Sequence, residues 1–236
     1  MADARYVCYG GARGGGKSWA VRTKALLLAL RLPGIRILIV RRSYPELYEN
    51  HIRTLCRMTA GVAVWQDRDK TLRFPVCAGG GAGSTIHFGY CDSSEDVLRY
   101  QGQEYDVLFI DEATQLTEEQ FIWLDACVRG VNPFPKRTYL TCNPGGVGHD
   151  WVKRRFLDGG ETESVFIRAT VYDNQALLQS DPGYLRMLQR LPDGMRQAWL
   201  DGNWDYYAGQ YFPMFDVTRH TVPPFPLPDW WRVYRA

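Results

Sequence analysis

The chain has 236 residues, of which 45% are hydrophobic and 23% are charged, and these values indicate one large globular domain or one domain with a small appendage. The formal net charge of +2 gives no argument for nucleic-acid binding, so any basic surface must come from local clustering of charge. The six cysteines include no C-x-x-C pair and give no sign of a zinc site, a thioredoxin motif or a disulfide framework. No apolar run approaches the roughly 20 residues of a membrane span and no signal peptide opens the chain, so we expect a cytoplasmic protein whose cysteines are buried, reduced thiols.

The first three predicted elements form a strand–helix–strand unit. Residues 5–9 (RYVCY) predict a short strand, and apolar residues at helical spacing over 18–32 predict a helix that ends at Pro33 and Gly34. Residues 35–40 (IRILIV) are almost all apolar, which is typical of a strand buried on both faces. A strand, a helix and a strand at this spacing indicate a βαβ unit, so we expect a mostly parallel sheet.

The alternation of strands and helices continues along the chain. Residues 45–58 predict a helix, and strands at 71–76 and 85–90 flank a glycine-rich turn at 78–83, which predicts a hairpin. The remaining segments predict strands at 106–110, 137–142 and 164–170 and helices at 118–129, 149–157 and 184–201. This alternation predicts an α/β fold in which helices flank a central sheet.

A glycine-rich loop joins the first strand to the first helix. Its sequence, GARGGGKS, fits the pattern G-x-x-x-x-G-K-[ST]. The backbone N–H groups of such a loop converge on one point, the helix dipole adds positive potential, and glycines let the backbone approach a phosphate closely. We expect Lys17 to contact the β and γ phosphates of ATP and the Ser18 hydroxyl to bind Mg²⁺. The predicted nucleotide-binding residues are Gly11, Ala12, Arg13, Gly14, Gly15, Gly16, Lys17 and Ser18.

Two carboxylates end a buried strand in the segment VLFIDE. In parallel α/β sheets, ligands bind at the carboxyl ends of the strands, where these two side chains are expected. We expect Asp111 to hold the Mg²⁺ shell and Glu112 to orient or deprotonate the attacking water. Acidic residues in the first turn of a helix would explain the same pair, but the glycine-rich loop favours the catalytic interpretation.

A polar segment, TCNP, ends the predicted strand RTYLTC. The end of that strand is expected beside the γ-phosphate, where Thr141 and Asn143 would contact it. Asn-Pro also favours turns, so a turn that simply ends the strand explains the segment equally well. Position alone leaves both interpretations open.

Four blocks of the sequence together resemble the large terminase subunit of tailed bacteriophages. They are GGARGGGKS, YQGQEYDVLFIDEATQLTEEQF, TYLTCNPGGVGHDWVKRRF and LPDGMRQAWLDGNWD, and the resemblance covers nearly the whole chain. The first two blocks are shared by many nucleotide hydrolases, whereas the other two are more specific to the family. The resemblance implies a three-layer P-loop NTPase of the additional-strand (ASCE) type, with ATP and Mg²⁺ as cofactors, that hydrolyses ATP to package viral DNA into a procapsid.

The resemblance also implies a role for each matched residue. Thr141 and Asn143 fall in the family's coupling motif, which relays the state of the γ-phosphate to domain motion. The matches to the nucleotide motifs are Lys17 and Ser18 of Walker A, Asp111 of Walker B and the catalytic glutamate Glu112.

Two arginines are candidates for the arginine finger that a ring motor of this family takes from the neighbouring subunit. Arg99 lies shortly before the Walker B strand, where family members carry such a residue, although an arginine there could also be an ordinary surface residue. Arg13 matches an arginine often found within the Walker A loop and is the competing candidate. The expected catalytic residues are therefore Glu112, Lys17, Arg99 and Arg13.

A change of composition after residue 202 predicts a domain boundary. We expect residues 1–202 to form the ATPase domain and residues 203–236 to form a linker and the start of a truncated C-terminal domain, which in the family is an RNase H-like nuclease. Residues 209–228 hold five prolines and show no helical period. The sequence ends before the family's metal-binding aspartates, so we expect no nuclease activity, and few residues precede Tyr6 to contact adenine as they do in the family.

The family also implies the partners and the place of action. The expected partners are double-stranded DNA, contacted through its phosphate backbone, the portal protein, the small terminase subunit and further copies of the chain. The copies would form a ring, commonly a pentamer when docked, with a monomer as the alternative for the isolated chain, and no membrane partner is expected. We expect the protein in the cytoplasm of an infected bacterial host, transiently at the procapsid portal and not in the mature virion.

Three basic clusters are candidates for contacts to DNA phosphates, although such clusters are also found on ordinary solvated surfaces. The glycine-containing segment 145–148, which follows the coupling motif, predicts either a hinge or a plain loop. The clusters are Arg36, Arg41 and Arg42; Arg53 and Arg57; and Lys153, Arg154 and Arg155.

Two other functions are compatible with parts of the sequence. The first is another P-loop DNA motor, such as a helicase-like or recombinase-like ATPase, and the TCNP and GNWD segments argue against it. The second is a nucleotide-dependent assembly module that docks to the portal or the small subunit and has negligible turnover alone. The sequence leaves this second function open, because a motor that needs an arginine from its neighbour is also slow as a monomer.

Overall fold

A central eight-stranded sheet organises the chain. The computed structural model describes residues 4–76, 82–159, 162–205, 217–226, 228 and 230–231. The strands are β1 (Tyr6–Gly11), β2 (Arg36–Arg41), β3 (Val64–Gln66), β4 (Thr71–Arg73), β5 (Thr85–Tyr90), β6 (Val107–Ile110), β7 (Arg137–Cys142) and β8 (Ser164–Ala169). Their order across the sheet is β3-β4-β5-β2-β6-β7-β1-β8.

The strand order confirms the predicted additional-strand arrangement. All neighbouring pairs from β5 to β8 in the sheet order are parallel, whereas β4 pairs antiparallel with both β3 and β5. Strand β7 lies between β1, which leads into the glycine-rich loop, and β6, which leads to Asp111. Strand β7 therefore separates the glycine-rich loop from Asp111 by the width of one strand. Its carboxyl end places Thr141 between them.

Helices cover both faces of the sheet. A π-helical turn lies at Tyr48–Ile52, and 3₁₀ turns lie at Ser94–Tyr100, Ala113–Gln115 and Val171–Asp173. The α-helices are α1 (Lys17–Arg31), α2 (Tyr44–Leu47), α3 (Arg53–Met58), α4 (Glu118–Asp125), α5 (His149–Phe156), α6 (Gln175–Ser180), α7 (Pro182–Gln189), α8 (Asp193–Trp199) and α9 (Val217–His220).

Two hydrophobic cores join the sheet to its two helical layers, which gives the predicted three layers. On one face, Val21 of α1 packs with Ile37 of β2. On the other face, Phe121 of α4 and Trp151 of α5 stack at 4.9 Å between ring centroids and pack with Leu108 of β6. The central strands are therefore buried on both faces, which explains their almost continuously apolar sequences.

The segment from 171 to 200 has a small core of its own beside the glycine-rich loop. Val171, Leu188 and Leu200 are its buried members. After this segment, Trp204 packs into the main core, where its ring lies 5.2 Å from the ring of His149. The chain therefore still contacts the hydrophobic core of the sheet just after residue 202, where the sequence predicts the domain boundary.

Several predicted elements differ from the structure. The helix predicted at 184–201 is two helices, α7 and α8, because Pro192 has no N–H to continue α7 and instead caps α8. The sequence did not predict β3, α6 or α9, the last of which lies in the proline-rich segment 209–228, and α4 ends at Asp125, four residues early. The predicted antiparallel pair of the hairpin is observed as β4 and β5, but residues 77–81 of its turn lie outside the described residues.

Five of the six cysteines lie within the described residues, and all five are free thiols. Cys8, Cys91, Cys127 and Cys142 are buried free thiols, and Cys56 is a half-buried one, while Cys77 lies outside the described residues. Among the described helices, none has the length and apolar character needed to cross a bilayer.

Candidate nucleotide-binding site

The glycine-rich loop connects β1 to the N-terminus of α1, as the sequence predicts. Gly14 and Gly16 adopt positive φ angles of 78° and 75°, which glycine tolerates without strain. A Cβ atom at Gly14 would lie only 2.8 Å from the ring of Tyr184, so a larger residue does not fit there. The loop directs the first N–H groups of the 15-residue helix α1 toward one pocket, which is the geometry of an anion site.

Lys17 extends back across this loop. Its ammonium donates a hydrogen bond to the carbonyl oxygen of Ala12. Burial lowers the pKa of Lys17, and the nearby Cys142, Glu112 and Asp111 side chains offset part of that effect. The result is a cation held inside the pocket, at the position that the sequence assigns to phosphate contact.

Residues of the segment from 171 to 200 support the outer side of the loop. The Asn174 side-chain amide donates to the Gly14 carbonyl at 2.8 Å. The backbone N–H of Arg13 donates to the Trp199 carbonyl at 2.7 Å, and the Arg13 guanidinium lies 3.4 Å from the centroid of the Trp199 ring. The sequence motif did not identify Asn174 or Trp199, because both are far from the loop along the chain.

The register of the parallel strands brings three polar residues together at the carboxyl end of the sheet. Val40 of β2 pairs with Ile110 of β6, and Ile110 pairs with Leu140 of β7. The residues that follow these three in the sequence, Arg41, Asp111 and Thr141, therefore lie side by side at the ends of neighbouring strands. The sequence predicted this position for Asp111 and Thr141 but not for Arg41.

Asp111 is the centre of the buried hydrogen-bond network. Its carboxylate accepts a hydrogen bond from the Ser18 hydroxyl at 3.1 Å and another from the Thr141 hydroxyl. A hydroxyl and a carboxylate that face each other at the edge of a phosphate pocket are oxygen ligands of the kind that Mg²⁺ prefers. Ser18 and Asp111 therefore fit the predicted metal site.

His51 is a partner of Asp111 that the sequence did not reveal. The π-helical turn places its fully buried ring so that Nε2 lies 2.8 Å from Asp111 Oδ2. Burial alone would raise the pKa of Asp111, but the hydrogen bond and charge of His51, the charge of Arg41 and the Thr141 hydroxyl together hold that pKa well below its ordinary value. Asp111 is therefore held in its ionised form.

Glu112 is fixed through its backbone and through both carboxylate oxygens. Its φ angle of 62° is left-handed, which is uncommon for a residue other than glycine and is often found at functional sites. Oε1 lies 3.2 Å from Arg41 Nη2, and Oε2 accepts a hydrogen bond from the Gln115 amide at 3.2 Å. The backbone N–H donates to the Thr141 hydroxyl at 3.2 Å, so Thr141 contacts both acidic residues.

Asn143 lines the same pocket as the glycine-rich loop and Glu112. Its side-chain Oδ1 is buried and has no hydrogen-bond partner among the described residues, while its carbonyl accepts from the Thr114 hydroxyl at 2.9 Å. The following segment is a packed loop: the Gly148 N–H donates to the Thr114 carbonyl, and a Cβ at Gly146 would lie 2.5 Å from that carbonyl oxygen.

Arg99 lies away from this pocket, on a second concave surface. Its guanidinium pairs with Asp96 at 2.8 Å, lies 4.6 Å from the Tyr90 ring centroid and remains 53% exposed. Arg13, in contrast, lines the nucleotide pocket of its own chain. We call it the Arg99 surface, and its lining residues include Arg36, Arg68, Asp69, Lys70, His87, Tyr90 and Arg99.

The first predicted basic cluster is not a cluster in the folded chain. Arg36 and Arg41 are the first and last residues of β2, so they lie at opposite ends of the strand. Arg41 is buried in the nucleotide site, and Arg42 is exposed and pairs with Asp92 at 3.1 Å. The three arginines therefore do not form the single basic cluster that the sequence indicates, and their contact with DNA stays a prediction.

The other basic clusters differ from each other in their partners. Lys153 pairs with Asp205 at 2.6 Å, and Arg154 pairs with Glu118 at 2.6 Å. Arg155 packs its guanidinium 4.8 Å from the Phe121 ring centroid. This cluster is therefore engaged in contacts within the chain. In the cluster on α3, Arg53 is exposed and pairs with Glu49, and Arg57 is also exposed.

Comparison with known proteins agrees with this architecture. A model of the family described as terminase large subunit, T4likevirus-type, N-terminal, matches residues 8–219. A search of curated proteins finds no match. The structure of the large terminase from a thermophilic bacteriophage in complex with ATP-gamma-S is similar with a TM-score of 0.69 and 22% sequence identity, over 96% of this chain and 54% of that chain.

Two further structures show the same fold. The large terminase of the same thermophilic bacteriophage in complex with ADP has a TM-score of 0.72 at 22% identity, over 96% of this chain and 55% of that chain. The large terminase ATPase domain of Thermus phage P74-26 has a TM-score of 0.60 at 16% identity, over 85% of this chain and 89% of that chain. The chain thus spans about half of the length of the first protein and most of the length of the Thermus phage domain.

Proposed function

The chain belongs to the family of T4-like terminase large subunits, and we propose that it hydrolyses ATP to drive double-stranded DNA into a procapsid. One observation carries the proposal: Lys17, Ser18, Asp111 and Glu112 converge at the carboxyl ends of β1 and β6. A lysine in a glycine-rich loop, a pair of oxygen ligands and a second carboxylate are what phosphoryl transfer to water requires.

Each group has a defined task in this reaction. The loop N–H groups and Lys17 would bind the phosphates, and Ser18 and Asp111 would hold Mg²⁺, which neutralises charge on the phosphate oxygens when it is bound. Glu112 would orient the attacking water and accept its proton. Its fixed position, between Arg41 and Gln115, supports that role because a general base has to stay within hydrogen-bond reach of the water.

The remaining residues extend this proposal to the ring. Thr141 and Asn143 would relay the state of the γ-phosphate, since Thr141 contacts both acidic residues and Asn143 presents a buried acceptor in the pocket. Arg99, which is exposed and does not line its own nucleotide pocket, would act as the arginine finger on a neighbouring subunit. Arg13 remains the alternative within the same chain.

The partners and the location follow from the same proposal. We expect double-stranded DNA, the portal protein, the small terminase subunit and other copies of the chain as partners, with a pentameric ring when docked. The site of action would be the host cytoplasm and, transiently, the procapsid portal. Residues 203–236 would form the linker toward a nuclease domain, and most of them lie outside the described residues.

A Glu112→Gln substitution tests the proposed ATPase activity. The amide cannot accept the proton of the attacking water, so turnover should fall by about 10²–10⁴-fold while ATP still binds. Phosphate release measures turnover, and calorimetric titration with ATP measures binding. Glu118→Gln is the matched control, because Glu118 pairs with Arg154 away from the pocket, and it should hydrolyse ATP like the wild type.

Each other outcome has a clear meaning. Turnover by Glu112→Gln equal to that of the wild type would remove Glu112 from its catalytic role. ATP binding without any turnover by the wild type, also at high protein concentration and with DNA, would favour the nucleotide-dependent assembly module over the motor.

A further inference from the structure

Arg41 occupies a position in the nucleotide site that no phosphate-binding motif assigns. It is the last residue of β2, and its side chain is only 9% exposed. Its guanidinium lies 3.2 Å from Glu112, 3.4 Å from Asp111 and 3.8 Å from Glu46. A buried arginine that contacts three carboxylates is held by charge in one place, because moving it would leave those carboxylates without their shared cation.

The other cations of the pocket have different partners. The Lys17 ammonium donates to the Ala12 carbonyl, and the Arg22 guanidinium donates to the Asn50 carbonyl. In the described part of the chain, Arg41 is the cation within ion-pair distance of the Glu112 carboxylate. It therefore connects the proposed general base directly to the charge of the pocket.

Arg41 also faces the space that the glycine-rich loop surrounds. It lines that pocket together with Lys17 and Glu112. Its Nε is buried and has no partner with hydrogen-bond geometry among the described residues, so the guanidinium retains donor capacity within an environment shielded from water. An arginine with spare donors is well suited to a phosphate, whose oxygens match the geometry of the guanidinium fork.

We infer that Arg41 is a positioning residue that links the terminal phosphate of a bound nucleoside triphosphate to the placement of Glu112. This inference rests on the proposed ATPase function. A terminal phosphate in this pocket would compete with Glu112 for the Arg41 guanidinium. Its presence would therefore weaken the ion pair between Arg41 and Glu112 and change the position of the Glu112 carboxylate. A diphosphate lacks that group, and Arg41 would then make the site prefer a triphosphate over a diphosphate.

The test compares affinities for ATP-gamma-S and ADP in the full chain. Calorimetric titrations with each nucleotide and Mg²⁺ would use the wild type, Arg41→Gln, Arg41→Lys and the neighbouring control Arg42→Gln. Arg42 has an exposed side chain that pairs with Asp92, outside the pocket. In Arg41→Gln, we expect ATP-gamma-S binding to weaken by about tenfold or more, since a charged hydrogen bond is removed, while ADP binding changes by less than about twofold.

The lysine variant and the kinetics separate positioning from a general loss of structure. Arg41→Lys keeps the charge but loses the fork, so its preference for the triphosphate should fall between those of the wild type and Arg41→Gln. Its kcat should fall more than its KM rises, because Glu112 is displaced while most phosphate contacts remain. If Arg41→Gln does not fold, Arg41→Lys alone carries the test.

The possible results distinguish the inference from the proposed function. A wild-type chain that binds neither nucleotide would overturn both. A wild type that prefers ATP-gamma-S, together with Arg41 variants that keep the full preference, would overturn the role of Arg41 and leave the ATPase proposal intact. Equal weakening of ADP and ATP-gamma-S in the Arg41 variants, or a change of the same size in Arg42→Gln, would also overturn it.

Discussion

The nucleotide pocket and the Arg99 surface both contain several cations, but they differ in how those cations are held. In the pocket, Arg41 and Lys17 are largely buried and each has a partner within the site. On the Arg99 surface, Arg99 is 53% exposed and pairs with Asp96, and Lys70 pairs with Asp67. Arg36 and Arg68 line the same surface without a carboxylate partner among the described residues. The pocket is therefore preorganised around its own charges, whereas the Arg99 surface presents positive charge outward.

This difference indicates what each region can do. Buried charges in a fixed network suit chemistry, because the geometry is set before the substrate arrives. Exposed cations suit contact with another anionic group, such as a phosphate of a neighbouring subunit's nucleotide or of DNA, above all Arg36 and Arg68, which have no carboxylate partner among the described residues. The Arg99 surface is therefore where the ring and DNA proposals can be tested separately from the chemistry of the pocket.

The largest effect is expected for Arg99. If it serves as the finger for a neighbouring subunit, Arg99→Ala should lower the ATPase rate of the assembled ring by about 10³–10⁵-fold, because the transition-state charge loses its cation. Mixing Arg99→Ala with Glu112→Gln chains should restore part of the rate, since each contributes what the other lacks. The rate per chain of the wild type should also rise with protein concentration.

Arg129→Ala is the matched control for this experiment. Arg129 is 54% exposed and pairs with Glu104, so it resembles Arg99 in exposure and pairing but is not among the residues that line the Arg99 surface. A rate that does not depend on concentration, with no rescue on mixing, would rule out a finger supplied by a neighbour and would favour Arg13 within the same chain.

The second prediction concerns His87, a residue of the Arg99 surface, and its effect on the unfolding free energy of the chain in acid. Burial and the charges of Arg36 and Arg73 lower the pKa of His87 from 6.5 to about 4. The unfolded chain therefore binds a proton at His87 more readily than the folded chain does. Above pH 6.5 this difference does not lower the unfolding free energy, and the loss grows as the pH falls toward 4. Over that fall in pH, the wild type should lose about 3 kcal/mol of unfolding free energy from this residue.

Urea unfolding at several pH values measures this effect. His87→Gln removes the titrating ring, so its unfolding free energy should decrease less steeply than that of the wild type as the pH falls from neutral toward 4. In mildly alkaline buffer the imidazole is neutral in both the folded and unfolded chains, and the two proteins should differ only by a constant. Parallel pH profiles of the two proteins would contradict the depressed pKa.

The two regions also differ in how far the sequence could predict them. The loop from Gly11 to Ser18 is one continuous segment, so its pattern predicts both its geometry and its place between a strand and a helix. Asp111 follows an apolar strand, which likewise identifies the carboxyl edge of the sheet. These predictions needed only local sequence and the rule that ligands bind at that edge.

The partners of those residues could not be predicted in the same way. Arg41 reaches Asp111 only because β2 pairs with β6 in one register, and His51 reaches it only through a π-helical turn. No local pattern in the sequence specifies either feature. The one signal in the sequence is that Arg41 directly follows a predicted buried strand. If that strand is placed beside β6, Arg41 falls next to Asp111.

The Arg99 surface shows the same limit more strongly, because it combines residues from four separate segments. Arg36 begins β2, Arg68 precedes β4, and His87 and Arg99 come from β5 and the following 3₁₀ turn. The sequence grouped Arg36 with Arg41 because they are close in the chain. The fold instead places Arg36 with Arg68, so the distribution of positive charge depends on topology.

The smallest effect is expected for DNA binding by this surface. If Arg36 and Arg68 contact phosphates, the double substitution Arg36→Gln and Arg68→Gln should weaken DNA binding equally for all sequences. The slope of log affinity against log salt should become shallower by about 0.9 for each phosphate that the variant no longer neutralises. Fluorescence anisotropy with two unrelated duplexes at several salt concentrations measures both the affinity and the slope.

The double substitution Arg53→Gln and Arg57→Gln on α3 provides the comparison. If the slope is unchanged in the Arg36 and Arg68 variant but shallower in the Arg53 and Arg57 variant, the DNA-binding site lies on α3 and not on the Arg99 surface.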